Sequence, residues 1–291
     1  MLTLLLTLAG VVVLALLFSY QLRVIFLRKR LAESEKKTEE ARRLKAQFIA
    51  NISHELKTPL NSVVGYVDLL RESKYGKLSA EQDDILRRVQ MASERLLSVI
   101  QNLFDFSSAE LDKIDVKIAA FDLNASLAST LEIWEKLAEE KGVKISSSLD
   151  PEIGDINSDR QKIYQSVANV LSNAVKFTDK GSIELKSKLL PGDLVLIEVK
   201  DTGIGIGEAH LPHMFEEFRQ EDGSIKRDYG GTGLGLSISQ KFVNFLGGDV
   251  AVKSKKGEGT TVRIIIPKSI THPMRRESER VPARKALEKM P

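Results

Sequence analysis

His54 lies in the run Phe48-Ile-Ala-Asn-Ile-Ser-His54-Glu55-Leu-Lys-Thr58-Pro59-Leu60 and is one of four histidines in 291 residues. A carboxylate follows it directly, a hydroxyl stands four residues on, and a proline comes next. At helical spacing His54 and Thr58 share a face, one turn apart. Pro59 has no N–H for the carbonyl of Glu55 and its ring crowds that carbonyl, so the helix is expected to bend there. An imidazole beside a proton acceptor suits an exposed nucleophile with its base. A metal site or a hydrolase could use the same pair, so the electrophile must be read from the rest of the chain.

Three later segments point to a nucleotide. Asn169-Val-Leu-Ser-Asn173-Ala-Val-Lys176-Phe177 places Asn169, Asn173 and Lys176 on one helical face, with Gln165 a turn earlier. Ile163, Val167, Val170 and Ala174 line much of the opposite side. A carboxamide oxygen suits Mg²⁺, which keeps few protein ligands and relies on phosphate oxygens; a lysine beside it supplies a point charge for phosphate. Plain surface is the alternative for that face alone. Asp201-Thr-Gly203-Ile-Gly205-Ile-Gly207 follows an apolar strand. Its aspartate can accept from an exocyclic amine, and glycines let backbone approach a ring; a glycine-rich loop after an edge strand is the other reading. Gly230-Gly231-Thr232-Gly233-Leu234-Gly235 opens a helix, where free N–H groups and the dipole favour phosphate. Leu236 stands where a dinucleotide fingerprint needs glycine, and no Gly-Lys-Ser/Thr follows, so Rossmann and Walker A readings fail. Between these segments, the polar stretch from Glu208 to Tyr229 reads as a mobile lid. Phe215 and Phe218 within it serve either as a small anchor or as a docking surface.

The elements that position these residues divide the chain. Leu2 to Leu22 carries no charged side chain, and at about 1.5 Å per residue it spans roughly the 30 Å hydrocarbon core. Arg23, Arg28, Lys29 and Arg30 follow without an acid, placing that side in the cytoplasm. A retained anchor at 1–27 is favoured over a cleaved signal peptide, because a basic n-region and a cleavage site are lacking. No second apolar span occurs. Residues 28–46 read as a helical stalk and 47–108 as a helical hairpin, with Ser79-Ala-Glu-Gln82 a capping box for its second helix. Two amphipathic helices cannot bury both stripes alone, so a homodimer forming a four-helix bundle is expected. Residues 109–120 read as a linker and 121–267 as a mixed α/β unit with helices at 123–141 and 159–177. Its strands are expected at 143–148, 182–189, 194–200, 249–254 and 260–266, with Pro191-Gly192-Asp193 as a hairpin turn. Residues 268–291 read as a basic disordered tail, with partner or lipid contact the alternative. A net charge of +3 gives no argument for nucleic-acid binding, and the absence of cysteine excludes disulfides, thiolate catalysis and Cys-ligated zinc.

From about residue 44 to 267 the chain resembles the sensor histidine kinases of two-component systems. His54-Glu-Leu-Lys-Thr-Pro is similar to their H box, Asn169–Phe177 to the N box, Asp201–Gly205 to G1, Phe215–Phe218 to the F box and Gly231–Gly235 to G2, in the family's order. The resemblance implies a dimeric all-α phosphoacceptor bundle followed by an ATP-binding α/β sandwich of the histidine kinase, gyrase and Hsp90 type. It implies that His54 takes the ATP γ-phosphoryl group, that Glu55 handles the proton on the other ring nitrogen, and that Thr58 positions water when a regulator is dephosphorylated. Asn169 is then the Mg²⁺ ligand, with Asn173 and Lys176 near phosphates and ribose. Asp201 takes the adenine amine, with Gly203 and Gly205 beside the ring. Gly231, Thr232, Gly233, Leu234 and Gly235 provide the lid hinge and phosphate contacts. The implied partners are a second copy, the membrane and the receiver domain of a response regulator, with the catalytic part on the cytoplasmic side of a bacterial inner membrane. Where many members carry arginine after the F box, this chain has Gln220, preceded by Arg219. An ATP-binding regulatory switch or phosphatase is the second reading; a gyrase- or Hsp90-like machine is disfavoured by the H box.

Overall fold

The computed structural model of the chain describes residues 2–72, 76–110, 114–217, 219, 233–274, 281–288 and 290, with side chains from residue 18 onward except at 35, 39, 42, 110 and 281. Helix α1 runs from Leu2 to Arg71 and α2 from Ala80 to Glu110. Pro59 sits inside α1, which continues past it for three further turns. The Ser79 capping box forms as its sequence requires: Gln82 N donates to Ser79 Oγ (3.2 Å) and Ser79 N donates to Gln82 Oε1 (2.9 Å). Glu81 and Asp83 in the first turn of α2 complement its dipole, and the helix contains no glycine or proline.

The two helices form an antiparallel hairpin whose register is pinned at three levels. Arg71 Nε donates to Asp83 (2.9 Å) near the turn, Lys57 Nζ donates to Gln101 Oε1 (3.1 Å), and Ser107 Oγ donates to the carbonyl of Ala46. Ala46, Ser53 and Val67 of α1 and Ser93 and Ile100 of α2 are buried. Small side chains there let the helix axes approach. Ile52, Leu56, Tyr66, Ile85, Val89 and Leu96 remain exposed, an apolar surface that the hairpin does not cover by itself.

The α/β unit is built on a sheet of five strands: β2 (Lys144–Leu149), β4 (Ser182–Leu190), β5 (Leu194–Asp201), β6 (Asp249–Lys255) and β7 (Gly259–Pro267). They lie in the order β2-β4-β5-β7-β6. All pairings are antiparallel except β2 with β4, which need a crossover; α4 (Arg160–Phe177) supplies it. The β4–β5 turn uses Gly192 and Asp193 at φ 80° and 54°. A short pair, β1 (Ala119–Asp122) with β3 (Asp155–Ser158), lies outside the main sheet. Its strands lead into helices: Asp122 caps α3 (Leu123–Glu140) and Asp159, just beyond β3, caps α4.

One face of the sheet carries α3, α4 and α5 (Gly235–Phe245). Leu127, Val167, Leu171 and Val243 from these helices form one core with Ile183 and Leu185 of β4 and Ile197 and Val199 of β5. The alternation of β5 sends Val195 and Ile197 to that core and Leu194 and Leu196 to the other face. That second face is covered by α6 (Val281–Glu288), through Ala283, Ala286 and Leu287 on Leu194, Leu196 and Ile265.

Two sequence expectations are corrected here. The segment 268–291 is not a wholly disordered tail: Ile270 N bonds Asn157 O (2.9 Å), Met274 N bonds Phe245 O (2.8 Å), and α6 docks on the sheet. The apolar positions of α6 recur at helical spacing, and the exposed side of β5 and β7 gives them something to bury against. The linker at 109–120 is likewise partly structured, since Ile114 is buried, Lys117 N donates to Asp159 Oδ2 (2.7 Å) and β1 begins at Ala119. Residues 73–75, 111–113, 218 and 220–232 lie outside the described residues. Among the described residues no helix is long and apolar enough to cross a membrane; the side chains of 2–17, which carry most of the apolar run, lie outside that set.

Candidate functional site

Asp201 is the last residue of β5 and is buried. Its Oδ1 accepts from Gly203 N (2.9 Å) and Thr260 N (3.2 Å). Burial raises the carboxyl pKa and these two bonds partly oppose the rise. The loop after it is held by backbone on both sides. Ile204 N donates to Phe177 O (3.1 Å) at the end of α4, Gly257 N to Ile204 O (2.7 Å), and Ile206 N to Ser254 Oγ (2.8 Å). A Cβ on Gly203 would stand 2.4 Å from Phe177 O, and one on Gly205 2.0 Å from Lys255 O. Glycine is required there by close approach of backbone. Beside the loop, the Thr178 hydroxyl is buried without a hydrogen-bond partner among the described residues.

The asparagine face of α4 meets the glycine segment at the start of α5. Asn169 Nδ2 donates to Gly235 O (3.1 Å) and Ser239 Oγ (3.1 Å). A carbonyl only accepts, so this bond fixes which end of the carboxamide is nitrogen and leaves Oδ1 as its hard oxygen. Gly235 lies against Asn169, with a Cβ there 3.6 Å from Asn169 Cγ. Gly233 takes φ 69°, and Leu234 is fully buried. Asn173 is half-buried. Lys176 is half-buried, with Nζ 4.7 Å from the Phe177 ring centroid. Burial lowers its pKa first, and the charge of Arg95 on α2 adds to that. Gly231, Thr232, Phe218 and Gln220 lie outside the described residues.

The structure therefore brings Asn169, Leu234 and Gly235 together, and joins Asp201, Gly203 and Gly205 to them through the α4 terminus at Phe177–Thr178. His54, Glu55 and Thr58 stand apart and exposed on α1. Thr58 Oγ1 donates back to His54 O (3.4 Å), and no hydrogen bond or ion pair among the described residues joins the three side chains to the glycine–asparagine cluster. No group of three or more His, Asp or Glu able to hold a metal occurs among the described residues. The Asn169 carboxamide oxygen is of a type that suits an ion relying on phosphate for most of its ligands, as Mg²⁺ does. Sequence reading missed Thr178, Ser254 and Thr260. Thr178 ends the asparagine helix and Thr260 follows the Gly257-Glu-Gly259 turn, so both had a local signal, but the approach of Thr178 to Gly203 and of Thr260 to Asp201 is set by the tertiary fold.

Residues 44–112 match the family model of the His Kinase A (phospho-acceptor) domain, and residues 158–270 that of the histidine kinase-, DNA gyrase B- and HSP90-like ATPase. The chain belongs to the sensor histidine kinase family. It is 37% identical over 251 residues to the autoinducer 2 sensor kinase/phosphatase LuxQ of Vibrio parahaemolyticus, covering 81% of this chain and 29% of that protein. The signal transduction histidine-protein kinase BarA of Escherichia coli K12 is 36% identical over 233 residues, covering 78% of this chain and 25% of BarA. The chain therefore spans less than a third of the length of these curated relatives. Among solved structures, full-length ShkA in complex with AMPPNP matches with TM-score 0.64 and 30% identity, over 76% of this chain and 45% of that one. The Acinetobacter baumannii histidine kinase AdeS, at 20% identity and TM-score 0.52 over 74% of this chain and 98% of that one, shares the fold. Family membership explains the two-part layout, with the phosphoacceptor match on the α1–α2 hairpin and the ATPase match on the sheet unit.

Proposed function

We propose that this chain autophosphorylates His54 from ATP and passes the phosphoryl group to an aspartate of a response-regulator receiver domain. The observation that carries the reading is one polypeptide holding an exposed His54–Glu55 pair on a bundle helix and a buried, doubly bonded Asp201 in a glycine cradle. A ring nitrogen of His54 attacks the γ-phosphorus; an N–P bond forms, the bond to the β–γ bridging oxygen breaks, and ADP leaves. Glu55 accepts or orients the proton on the other ring nitrogen, which keeps the attacking lone pair available. Asp201 holds the adenine amine through the oxygen that Gly203 and Thr260 leave open, and Thr178 offers a buried hydroxyl beside it. Asn173 and Lys176 stand by the phosphates and ribose, with Gly231, Thr232, Gly233, Leu234 and Gly235 at the lid hinge. Asn169 Oδ1 would hold Mg²⁺, which would supply charge neutralisation on the phosphates.

Incubation with γ-labelled ATP and Mg²⁺ should give acid-labile, alkali-stable label on the wild type and none on His54→Gln. A variant that still labels equally, or a wild type that binds nucleotide without labelling, contradicts the reading. Thr58 places an exposed hydroxyl one turn from His54, and the kinase/phosphatase name of LuxQ supports regulator dephosphorylation as a second activity. The exposed apolar face of the hairpin supports a homodimer. The uncharged run at 2–22 with basic residues after it supports a single-pass anchor in the bacterial inner membrane, with the catalytic part cytoplasmic. Deleting residues 1–27 should move the protein to the soluble fraction; persistent membrane association would sink that assignment.

A further inference from the structure

The nucleotide unit is tied to the hairpin by a chain of hydrogen bonds that the reaction above does not use. Lys57 Nζ, three residues past His54, donates to Gln101 Oε1 (3.1 Å); Gln101 Nε2 donates to Asp105 Oδ1 (3.0 Å). The other carboxylate oxygen of Asp105 accepts from Gln165 Nε2 on α4 (2.6 Å). Asp105 is buried, so both its oxygens are satisfied by carboxamides from two different units of the chain. Around this pair the seam is apolar, with Phe106 and Ala109 of α2 packed with Leu234, Ile238 and Phe242 of the sheet unit. Lys241 Nζ lies 4.4 Å from the Phe106 ring centroid.

The seam lies at the level of His54, because Lys57 pairs with Gln101 and Ala46 with Ser107 on either side of it. It is made on α2, whereas His54 is on α1. Gln165, Asn169, Asn173 and Lys176 form one face of α4. One end of that face is bonded to Asp105, and the other feels the charge of Arg95 on α2. Both ends of that face are therefore directed at α2, the helix that does not carry the histidine. Leu234, in the middle of the lid-hinge glycines, is locked into the same seam.

We propose that the Asp105–Gln165 pair is an interdomain latch that restrains phosphoryl transfer by holding the nucleotide unit on α2, and that Lys57 and Gln101 link the latch to the helix turn after His54. This rests on the kinase reading above. Transfer requires the γ-phosphorus to reach the imidazole, and so requires the latch to open. Gln165→Glu sets carboxylate against carboxylate and forces it open; adding Asp105→Asn restores a donor facing an acceptor.

The full chain is tested as wild type, Gln165→Glu and the Asp105→Asn/Gln165→Glu pair. Autophosphorylation of Gln165→Glu at saturating ATP should rise about tenfold, equivalent to the loss of one good hydrogen bond. The double variant should return to the wild-type rate. An unchanged or slower Gln165→Glu, or a double variant that stays fast, overturns the latch. The chain has no cysteine, so spin labels at Glu81→Cys and Lys188→Cys read the docking without any reaction. The distance distribution should be narrow in wild type, broad in Gln165→Glu and narrow again in the pair. A wild type that docks in this way but never labels with phosphate would count against the kinase reading and leave the docking role of the pair standing. Equal distributions in all three would count against the latch alone.

Discussion

Asp201→Asn should abolish ATP binding, yet leave the unliganded protein more stable to heat at neutral pH than the wild type. Oδ1 of Asp201 is occupied by Gly203 N and Thr260 N, and an asparagine oxygen can accept the same two bonds. The second position then carries NH₂ instead of oxygen and faces the donor amine of the base. Two donors opposed in a buried site lose the bond and leave both unpaired, a loss of about 100-fold or more in affinity. The stability effect has the opposite sign. Burial raises the Asp201 carboxyl above its ordinary value. The folded protein therefore holds that proton more tightly than the unfolded chain, so the group's stabilising effect is present below the unfolded pKa and is lost as pH rises through the folded one. At neutral pH the wild type bears the full desolvation of the carboxylate, which the neutral amide avoids. Calorimetric titration and melting curves taken from acid to neutral pH check both halves. Undiminished affinity, or a variant that melts lower at neutral pH, would show that Asp201 is a structural carboxylate.

Gly205→Ala should cost about 3 kcal/mol, a fall of roughly 10 °C in the melting temperature, and should remove nucleotide binding with it. The residue has φ 63°, and its Cβ would lie 2.0 Å from Lys255 O and 3.1 Å from Gly259 O. Both neighbours are backbone at the β6–β7 turn, which cannot rotate out of the way as a side chain would. Displacing that turn pulls Gly259 and Thr260 from Asp201, so the same substitution strikes fold and site together. Gly142→Ala is the control. Gly142 has φ 72° but nothing within 4 Å of its Cβ, and it closes α3 through Gly142 N to Glu139 O (2.9 Å). It should lose only the backbone strain, about 1 kcal/mol. Equal melting shifts for the two variants would mean that the close approach at Gly205 contributes little.

How far these features were legible in the sequence depends on how local their causes are. The helices at 123–140 and 160–177 and the strands of the main sheet are marked by local apolar patterns and turn residues, and their expected limits lie within a few residues of those observed. The Ser79–Gln82 box was readable because both of its bonds span three residues. The four-residue strands β1 and β3 are too short to show alternation, and only their pairing with each other defines them. Helix α6 was hidden by its charges; its Ala283, Ala286 and Leu287 gain meaning only beside the outer face of β5 and β7. Pro59 marks the phosphoacceptor segment in the sequence, but α1 remains one helix through it.

The site shows the same division. Asn169, Asp201, Gly203 and Gly205 were legible by residue type and spacing. Thr260 was not, because its bond to Asp201 crosses 59 positions. Asp105 reads as an ordinary polar residue near the end of an amphipathic helix until Gln165, 60 positions away, is placed against it.

Fragmentation of the full chain at neutral pH after brief incubation with Mg²⁺ and ATP, with the phosphorylated residue located by mass spectrometry, decides whether His54 is the phosphoacceptor. The phosphoryl group should be found on His54 and nowhere else in the segment 44–112. Phosphate on another residue, or an unmodified His54 in a chain that binds ATP, would contradict it.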